Sequence, residues 1–315
     1  MTSKLRAAVI GVGFLGRFHA QKYAALPDVE LVGVVDAHAE TARRVATELG
    51  VGVISSHHEL PGRVDLVSIA STTETHYAVA RDCLAAGLNV LVEKPITVTV
   101  AEADELIALA DAKGLALQVG HLERFNPAWL AARSRIIKPM FIEAHRMAPF
   151  KPRGTDVSVV LDLMIHDLDL ILPLMEGPLA DLRASGVSVL TDGVDIANAR
   201  LEFANGGVAN ITASRTSTAS LRRMRLFQQH EYISVDFGER RMSISRKRDA
   251  MIDGESPIDT ETHQQPPGDA LMTEIRAFVD AVRNGSPTLV SGRDGRAALG
   301  IALDIDRMID ARQTI

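Results

Sequence analysis

The residues best suited to chemistry lie at three points in the first third of the chain: the turn Gly11-Val12-Gly13-Phe14-Leu15-Gly16, Asp36, and Glu93-Lys94-Pro95. The turn spells G-x-G-x-x-G between the apolar run Leu5–Ile10 and a helical pattern. In that setting the first glycine allows a tight turn and the second lets backbone approach a pyrophosphate. The third lets the helix pack close to the strand, and the helix N-terminus adds N–H donors and partial positive charge. Gly11, Gly13, Phe14, Leu15 and Gly16 are therefore the candidate cofactor loop. Asp36 closes the second apolar run, about 20 residues past the last glycine. A carboxylate there accepts hydrogen bonds from the adenosine ribose and repels a 2′-phosphate. Ala37, His38 and Ala39 bring no Lys or Arg, which selects NAD over NADP. Lys94 follows the fifth apolar run, at the sheet edge where open α/β sheets bind ligands. It is placed to bind a substrate hydroxyl or the cofactor ribose; spacing alone serves a surface ion pair equally well.

These groups need a scaffold, and the hydrophobic pattern supplies one. Leu5–Ile10, Leu31–Val35, Val51–Ile54, Leu66–Ala70, Asn89–Val92 and Leu115–Val119 are short β-branched-rich runs. They alternate with the helical stretches Leu15–Ala25, Ala39–Leu49, His76–Ala86 and Val100–Lys113. Strand–helix alternation of this kind predicts a doubly wound parallel sheet, an α/β Rossmann domain over residues 1–121. Beyond it the texture changes. Asn126–Arg135 reads as a helix, Phe141–Met147 as a strand and Val159–Met175 as a long apolar helix. Ala184–Leu190, Ile196–Phe203, Gly207–Ser214, Met224–Gln228, Tyr232–Phe237 and Arg241–Ser245 then follow without intervening helices. That succession predicts a mostly antiparallel open sheet, and hence an α+β domain over 122–315. Met251–Asp269, with its prolines, reads as a surface loop. Ala270–Arg283 and Arg293–Ala311 are closing helices able to pack back on the first domain.

Composition narrows the function classes. A net charge of -6 argues against nucleic-acid or anionic-membrane partners. No stretch reaches the about 18 uninterrupted apolar residues of a membrane span, and Leu5–Ile10 is too short for a signal peptide. The one cysteine, Cys83, excludes a disulfide framework within the chain and suits a small core residue in a reducing cytoplasm.

Taken together, the Rossmann pattern, Ser68-Ile69-Ala70-Ser71-Thr72-Thr73-Glu74-Thr75-His76, Glu93-Lys94-Pro95 and the antiparallel second domain resemble the glucose–fructose oxidoreductase/inositol dehydrogenase (Gfo/Idh/MocA) family. The resemblance covers essentially the whole chain. It implies that Ser71, Thr72 and His76 line the cofactor, that Glu93 and Lys94 approach the nicotinamide ribose, and that the Lys94–Pro95 peptide is cis. It also implies a catalytic Asp and His four residues apart on a second-domain helix, matched here by Asp162 and His166. That spacing puts both on one helical face. The implied reaction is oxidation of a secondary sugar hydroxyl, with His166 or Lys94 taking the proton, Lys94 steadying the alkoxide and Asp162 orienting sugar or histidine. Read without the resemblance, Asp162, His166 and Asp169 equally form the wet stripe of an amphipathic helix.

The segment Gly120-His121-Leu122-Glu123-Arg124-Phe125-Asn126-Pro127, with Met147–Arg153, is similar to the subgroup oxidising UDP-N-acetylhexosamines, UDP-N-acetylglucosamine among them, at C3. His121, Arg124, Asn126, Lys151 and Arg153 thereby join Lys94, Asp162 and His166 as candidate substrate contacts. Arg124, Arg146, Lys151 and Arg153 form a basic set suited to a diphosphate. A free-sugar or inositol dehydrogenase leaves that set idle, and a non-enzymatic NAD sensor needs none of Lys94, Asp162 and His166. His121, Glu123, Asp162 and His166 could be drawn as a zinc site, but hydride transfer in this fold needs no metal and none is expected. The family further implies a homodimer or homotetramer through the second-domain sheet.

Overall fold

The computed structural model describes residues 3–150, 157–248 and 256–313. The chain divides into two compact units: Met1–Leu122 with Asp269–Leu299, and Glu123–Gly268 with Gly300–Ile315.

In the first unit, strands and helices alternate: β1 Leu5–Ile10, α1 Phe14–Ala25, β2 Val29–Val35, α2 Ala39–Leu49, β3 Gly52–Val53, β4 Leu66–Ile69, α3 Thr73–Ala85, β5 Asn89–Glu93, α4 Val100–Lys113 and β6 Leu117–Gly120. All strand pairs are parallel, in the order β3-β2-β1-β4-β5-β6. β1 and β4 are neighbours, so the chain reverses its winding at the point where β1 delivers the glycine turn. β4 is buried throughout, so its sequence is apolar except for Ser68, which Tyr23 satisfies, rather than alternating.

Among the elements of the second unit, α5 (Pro127–Ala132), β7 (Phe141–Met147) and α6 (Ile165–Ile171) precede a run of strands. These are β8 Leu179–Val187, β9 Ile196–Phe203, β10 Val208–Ser214, β11 Leu221–Gln228, β12 Glu231–Asp236, β13 Arg241–Lys247 and β14 Ile258–Gln264. Their order is β14-β13-β12-β11-β7-β10-β9-β8, antiparallel except for β10 against β7. One face carries Ile142, Ala144, Leu201, Ile211, Leu226 and Ile233, all fully buried, and the helical segment before β8 packs on β7 and β10. The other face is half-buried and mixed, with Phe141, Phe227 and Tyr232 in ring contact and Arg225 paired to Glu143.

α7 (Ala270–Asn284) belongs with the first unit, not with the sheet that precedes it in sequence. Its stripe Ile275, Phe278 and Val279 is fully buried in one cluster with Val9, Tyr23, Leu66 and Leu91. Burying stripes of this kind is worth about 1.5–3 kcal/mol per large side chain, enough to draw the helix across. α8 (Gly292–Gln313) contributes residues to both units. The segment read as a loop, Met251–Asp269, contains β14, paired along its length with β13; residues 251–255 lie outside those described. Among the described residues no helix is long and apolar enough to cross a membrane.

Candidate active site

The glycine turn is shaped by contacts a side chain would destroy. Gly11 has φ +79, and a Cβ there would sit 2.5 Å from the Ser71 nitrogen. One at Gly16 would sit 1.8 Å from the Gly11 carbonyl oxygen. At Gly13 nothing lies within 4 Å, so the space above it is open. Gly13 caps α1 without a side-chain hydrogen bond, and the first turn has no acidic residue, so this helix end suits an anion. Exposed Phe14 meets Phe18 edge-on, 5.4 Å between centroids, and Leu15 is half-buried.

Asp36 braces this turn. Its Oδ2 accepts the Val12 N–H and its Oδ1 the His38 N–H, both at 2.8 Å. Each oxygen keeps a second lone pair for a ribose hydroxyl. A cavity of ≈ 580 Å³ runs along this edge, lined by Gly11, Gly13, Asp36, Ser71, Thr72 and Thr75 among others. The cradle fits a dinucleotide: amides at the open glycine for the pyrophosphate, a carboxylate for the ribose. Asp36→Ala is expected to weaken NAD binding by on the order of tenfold or more, and to erode discrimination against NADP. Calorimetric titration with both cofactors checks this; unchanged selectivity would contradict it.

Past β4, the Ser71 hydroxyl meets Thr75 Oγ1 at 2.7 Å, and that hydroxyl donates to the Thr72 carbonyl. His76, expected to line the cofactor, is instead turned inward and almost fully buried. Its Nδ1 lies 2.8 Å from the Pro95 carbonyl and its Nε2 3.1 Å from that of Ser71. Burial holds its imidazole below the ordinary range. A neutral ring donates one proton, and the shorter contact gives it to Pro95. His76 thus ties the Ser71 loop to the Lys94–Pro95 loop, whose peptide bond is cis.

Glu93 is also turned inward, against the expectation that it approaches the nicotinamide ribose. Its Oε1 lies 2.9 Å from His19 Nε2, and its Oε2 accepts the Lys94 N–H at 3.3 Å. Lys94 itself is half-buried at the carboxyl edge of the sheet. His121, just past β6, is buried. Cys83 is a core residue, its thiol pushed up to about 12 by burial.

In the second unit the arginines expected to meet a diphosphate hold internal carboxylates. Arg124 grips Asp169 through Nε at 2.6 Å and Nη2 at 2.8 Å. Arg146 is buried, bidentate to Asp167 at 2.8 and 2.9 Å, with its third arm on Glu123 at 2.8 Å. Asn126, expected to touch substrate, caps α5 through the Ala128 N–H and donates to Glu123 and the Phe237 carbonyl. Both of its amide N–H groups are thereby committed. Glu123, drawn above as a possible zinc ligand, is held by Arg146, Arg222 and Asn126. Lys151 and Arg153 lie outside the described residues. Arg146→Ala leaves the buried Asp167 carboxylate without its arginine, with Glu123 kept by Arg222 and Asn126 alone, and is expected to cost about 3–5 kcal/mol of stability. Urea unfolding measures this; a loss below about 1 kcal/mol would contradict it.

The helix expected over Val159–Met175 is three pieces. Val160–Met164 is a π-helical turn, Ile165–Ile171 is α-helical, and Leu172–Leu174 tightens where Pro173 removes a donor. Such turns gather at functional sites. Asp162 and His166 are half-buried on this segment, whereas Asp167 and Asp169 are buried against arginines. Asp169 therefore does not belong to a wet stripe. Ser158 anchors the turn: its carbonyl accepts the Asp162 N–H, its hydroxyl accepts that of Leu161 and donates to Asp306 Oδ2 at 2.7 Å. Burial, then Asp310, pushes the Asp306 carboxyl up to about 6 from 3.8. The folded chain holds this proton more tightly than the unfolded one. Its stabilisation is full below the unfolded value and is lost as pH rises through the folded one. Asp306→Asn is accordingly expected to raise the melting temperature at about pH 8 and to give no gain below about pH 4. A pH-independent effect would contradict this.

Sequence reasoning passed over His19, Glu274 and Asp306. A signal existed for His19: Gly16, His19, Ala20 and Tyr23 form the buried stripe of α1, so a titratable group sits on an inward face.

Residues 5–121 match a family model described as oxidoreductase family, NAD-binding Rossmann fold, and residues 135–233 match the GFO/IDH/MocA C-terminal domain. The UDP-N-acetylglucosamine 3-dehydrogenase of Acidithiobacillus ferrooxidans is 43% identical over 308 residues, covering 98% of each chain. A solved structure of that enzyme aligns with TM-score 0.93 and 42% identity over 98% of this chain and 99% of that one. The scyllo-inositol 2-dehydrogenase (NAD(+)) of Bacillus subtilis is 26% identical over 326 residues, 96% of this chain and 93% of the relative. A levoglucosan dehydrogenase structure with NADH and levoglucosan shares the fold at 18% identity, TM-score 0.86, over 98% of each chain.

Proposed function

The chain belongs to the GFO/IDH/MocA family of NAD-binding oxidoreductases, and we propose that it oxidises the C3 hydroxyl of UDP-N-acetylglucosamine to the 3-keto sugar nucleotide. The observation that carries this reading is similarity to a named 3-dehydrogenase at 43% identity along nearly the whole of both chains. Bound NAD supplies the hydride acceptor. Gly11–Gly16 hold its pyrophosphate and Asp36 its adenosine ribose. Lys94 binds the reacting hydroxyl and stabilises the developing alkoxide. His166 accepts the hydroxyl proton, and Asp162 orients the imidazole or the sugar. His121 completes the substrate contacts from the end of β6.

One observation favours a second reading, a free-sugar or inositol dehydrogenase. Arg124 and Arg146 are paired with internal carboxylates, which favours Lys151 and Arg153 as the cations proposed for a diphosphate. Incubating the protein and NAD with UDP-N-acetylhexosamines, free hexoses and inositols, and following NADH, separates the two. Turnover confined to UDP-sugars is expected; turnover with free sugars or cyclitols alone would overturn the first reading.

We further infer a homodimer or homotetramer joined through the mixed face of the eight-stranded sheet, since Phe141, Phe227 and Tyr232 cluster there. A cytoplasmic setting suits the buried cysteine and acidic balance. Light scattering on the protein and on Phe227→Asp tests the interface; a monomeric wild type would contradict it.

A further inference from the structure

Three ionisable side chains are buried together in the first unit, next to the proposed catalytic lysine. His19 lies on α1, Glu93 ends β5, and Glu274 lies on α7. His19 and Glu274 are wholly buried and Glu93 is 8% exposed. One ligand-type atom from each lies within 4.8 Å of the others. His19 Nδ1 has no hydrogen-bond partner among the described residues, so the ring proton belongs on Nε2, which donates to Glu93 Oε1 at 2.9 Å. The second oxygen of Glu93 accepts the Lys94 N–H.

The surroundings are fitted to this arrangement. A Cβ on Gly120 would meet Glu93 Oε1 at 2.6 Å, so the carboxylate occupies room left by the absent side chain. Gln118, also buried, donates to the Glu274 backbone carbonyl. Tyr23, one turn along α1 from His19, bonds Ser68 at 2.8 Å. Burying such groups costs several kcal/mol unless they are paired, and three apolar side chains would pack the same space more simply. What the polar set does is mechanical. α1 begins at the glycine turn and β5 ends at Glu93, directly before Lys94, and His19 joins one to the other through Glu93.

We propose that His19 and Glu274 are positioning residues that act through Glu93 to hold Lys94 in register with the cofactor turn. This rests on the dehydrogenase reading, in which Lys94 meets the reacting hydroxyl. His19→Leu fills the volume and removes the donor, whereas His19→Gln restores an N–H towards Glu93. His19→Asn is too short to reach it, and serves as the disrupting variant if leucine prevents folding. Each is assayed for NADH affinity, for kcat and KM with UDP-N-acetylglucosamine, and for the acylation rate of Lys94 by a small activated ester relative to exposed Lys4. The disrupting variants are expected to lose kcat on the order of a hundredfold with KM and NADH affinity within about threefold. Lys94 acylation should shift severalfold, and the glutamine variant should recover most of both. Glu274→Leu is expected to give the same split. Wild-type kcat and acylation in the leucine or asparagine variants, or no recovery with glutamine, would overturn the proposal. A wild type inactive on the sugar nucleotide whose Lys94 acylation still responds to these variants would instead overturn the substrate reading and leave the positioning intact.

Discussion

Lys94→Ala is expected to lower kcat by on the order of a hundred- to a thousandfold, with NADH affinity changed by less than about tenfold. The backbone around Lys94 is fixed from both sides. The Glu93 carboxylate accepts the lysine's own N–H, and His76 holds the Pro95 carbonyl. With the backbone so constrained, the half-buried Lys94 carries its charge from a fixed root, and a charge so placed acts where an alkoxide develops rather than on the resting substrate. Removing it should therefore appear in kcat and not in cofactor binding. Lys94→Met keeps the apolar stem and separates lost charge from lost packing. Stopped-flow NADH formation beside NADH titration checks both variants; near-normal turnover in either would contradict the role.

His166→Ala is expected to lower kcat/KM with the sugar nucleotide by on the order of a hundredfold or more. The imidazole lies on a segment anchored at both ends, by Ser158 before the π-helical turn and by the Asp167–Arg146 and Asp169–Arg124 pairs within the helix. Asp167 and Asp169 face inward onto arginines, which leaves Asp162 and His166 as the half-buried polar pair of this stretch. Near-normal kcat/KM in the variant would assign the proton transfer to Lys94.

How much of this could be read from residues alone follows the physics of each feature. The glycine turn was legible because backbone geometry dictates residue type: the places where a Cβ would strike Ser71 or the Gly11 carbonyl must be glycine. β1, α2, α4, β7 and β9 keep the bounds their periodicity predicts, since each buries a regular stripe. β14 was not legible. Its sequence IDTETHQ is exposed throughout, so it carries no apolar alternation and exists through main-chain pairing with β13. α7 follows the second-domain sheet in order, yet its apolar stripe, read as able to pack back on the first domain, is buried with α1 and the parallel sheet. Side-chain direction was the least legible. Glu93, His76, Asn126, Arg124 and Arg146 each turn towards an internal partner that residue type and spacing do not announce. For Arg124 and Arg146 these partners, Asp169 and Asp167, sit on the same helix as His166, so both arginines brace the helix on which the proposed base lies.

The most direct measurement of the proposed reaction uses UDP-N-acetylglucosamine deuterated at C3. With NAD and this protein, deuterium is expected in the reduced nicotinamide recovered from the reaction, with a slowed single-turnover rate and a 3-keto sugar nucleotide as product. Reduced cofactor free of deuterium, or no reduced cofactor from this substrate at all, would contradict oxidation at C3 and return the choice of alcohol to the free sugars and cyclitols.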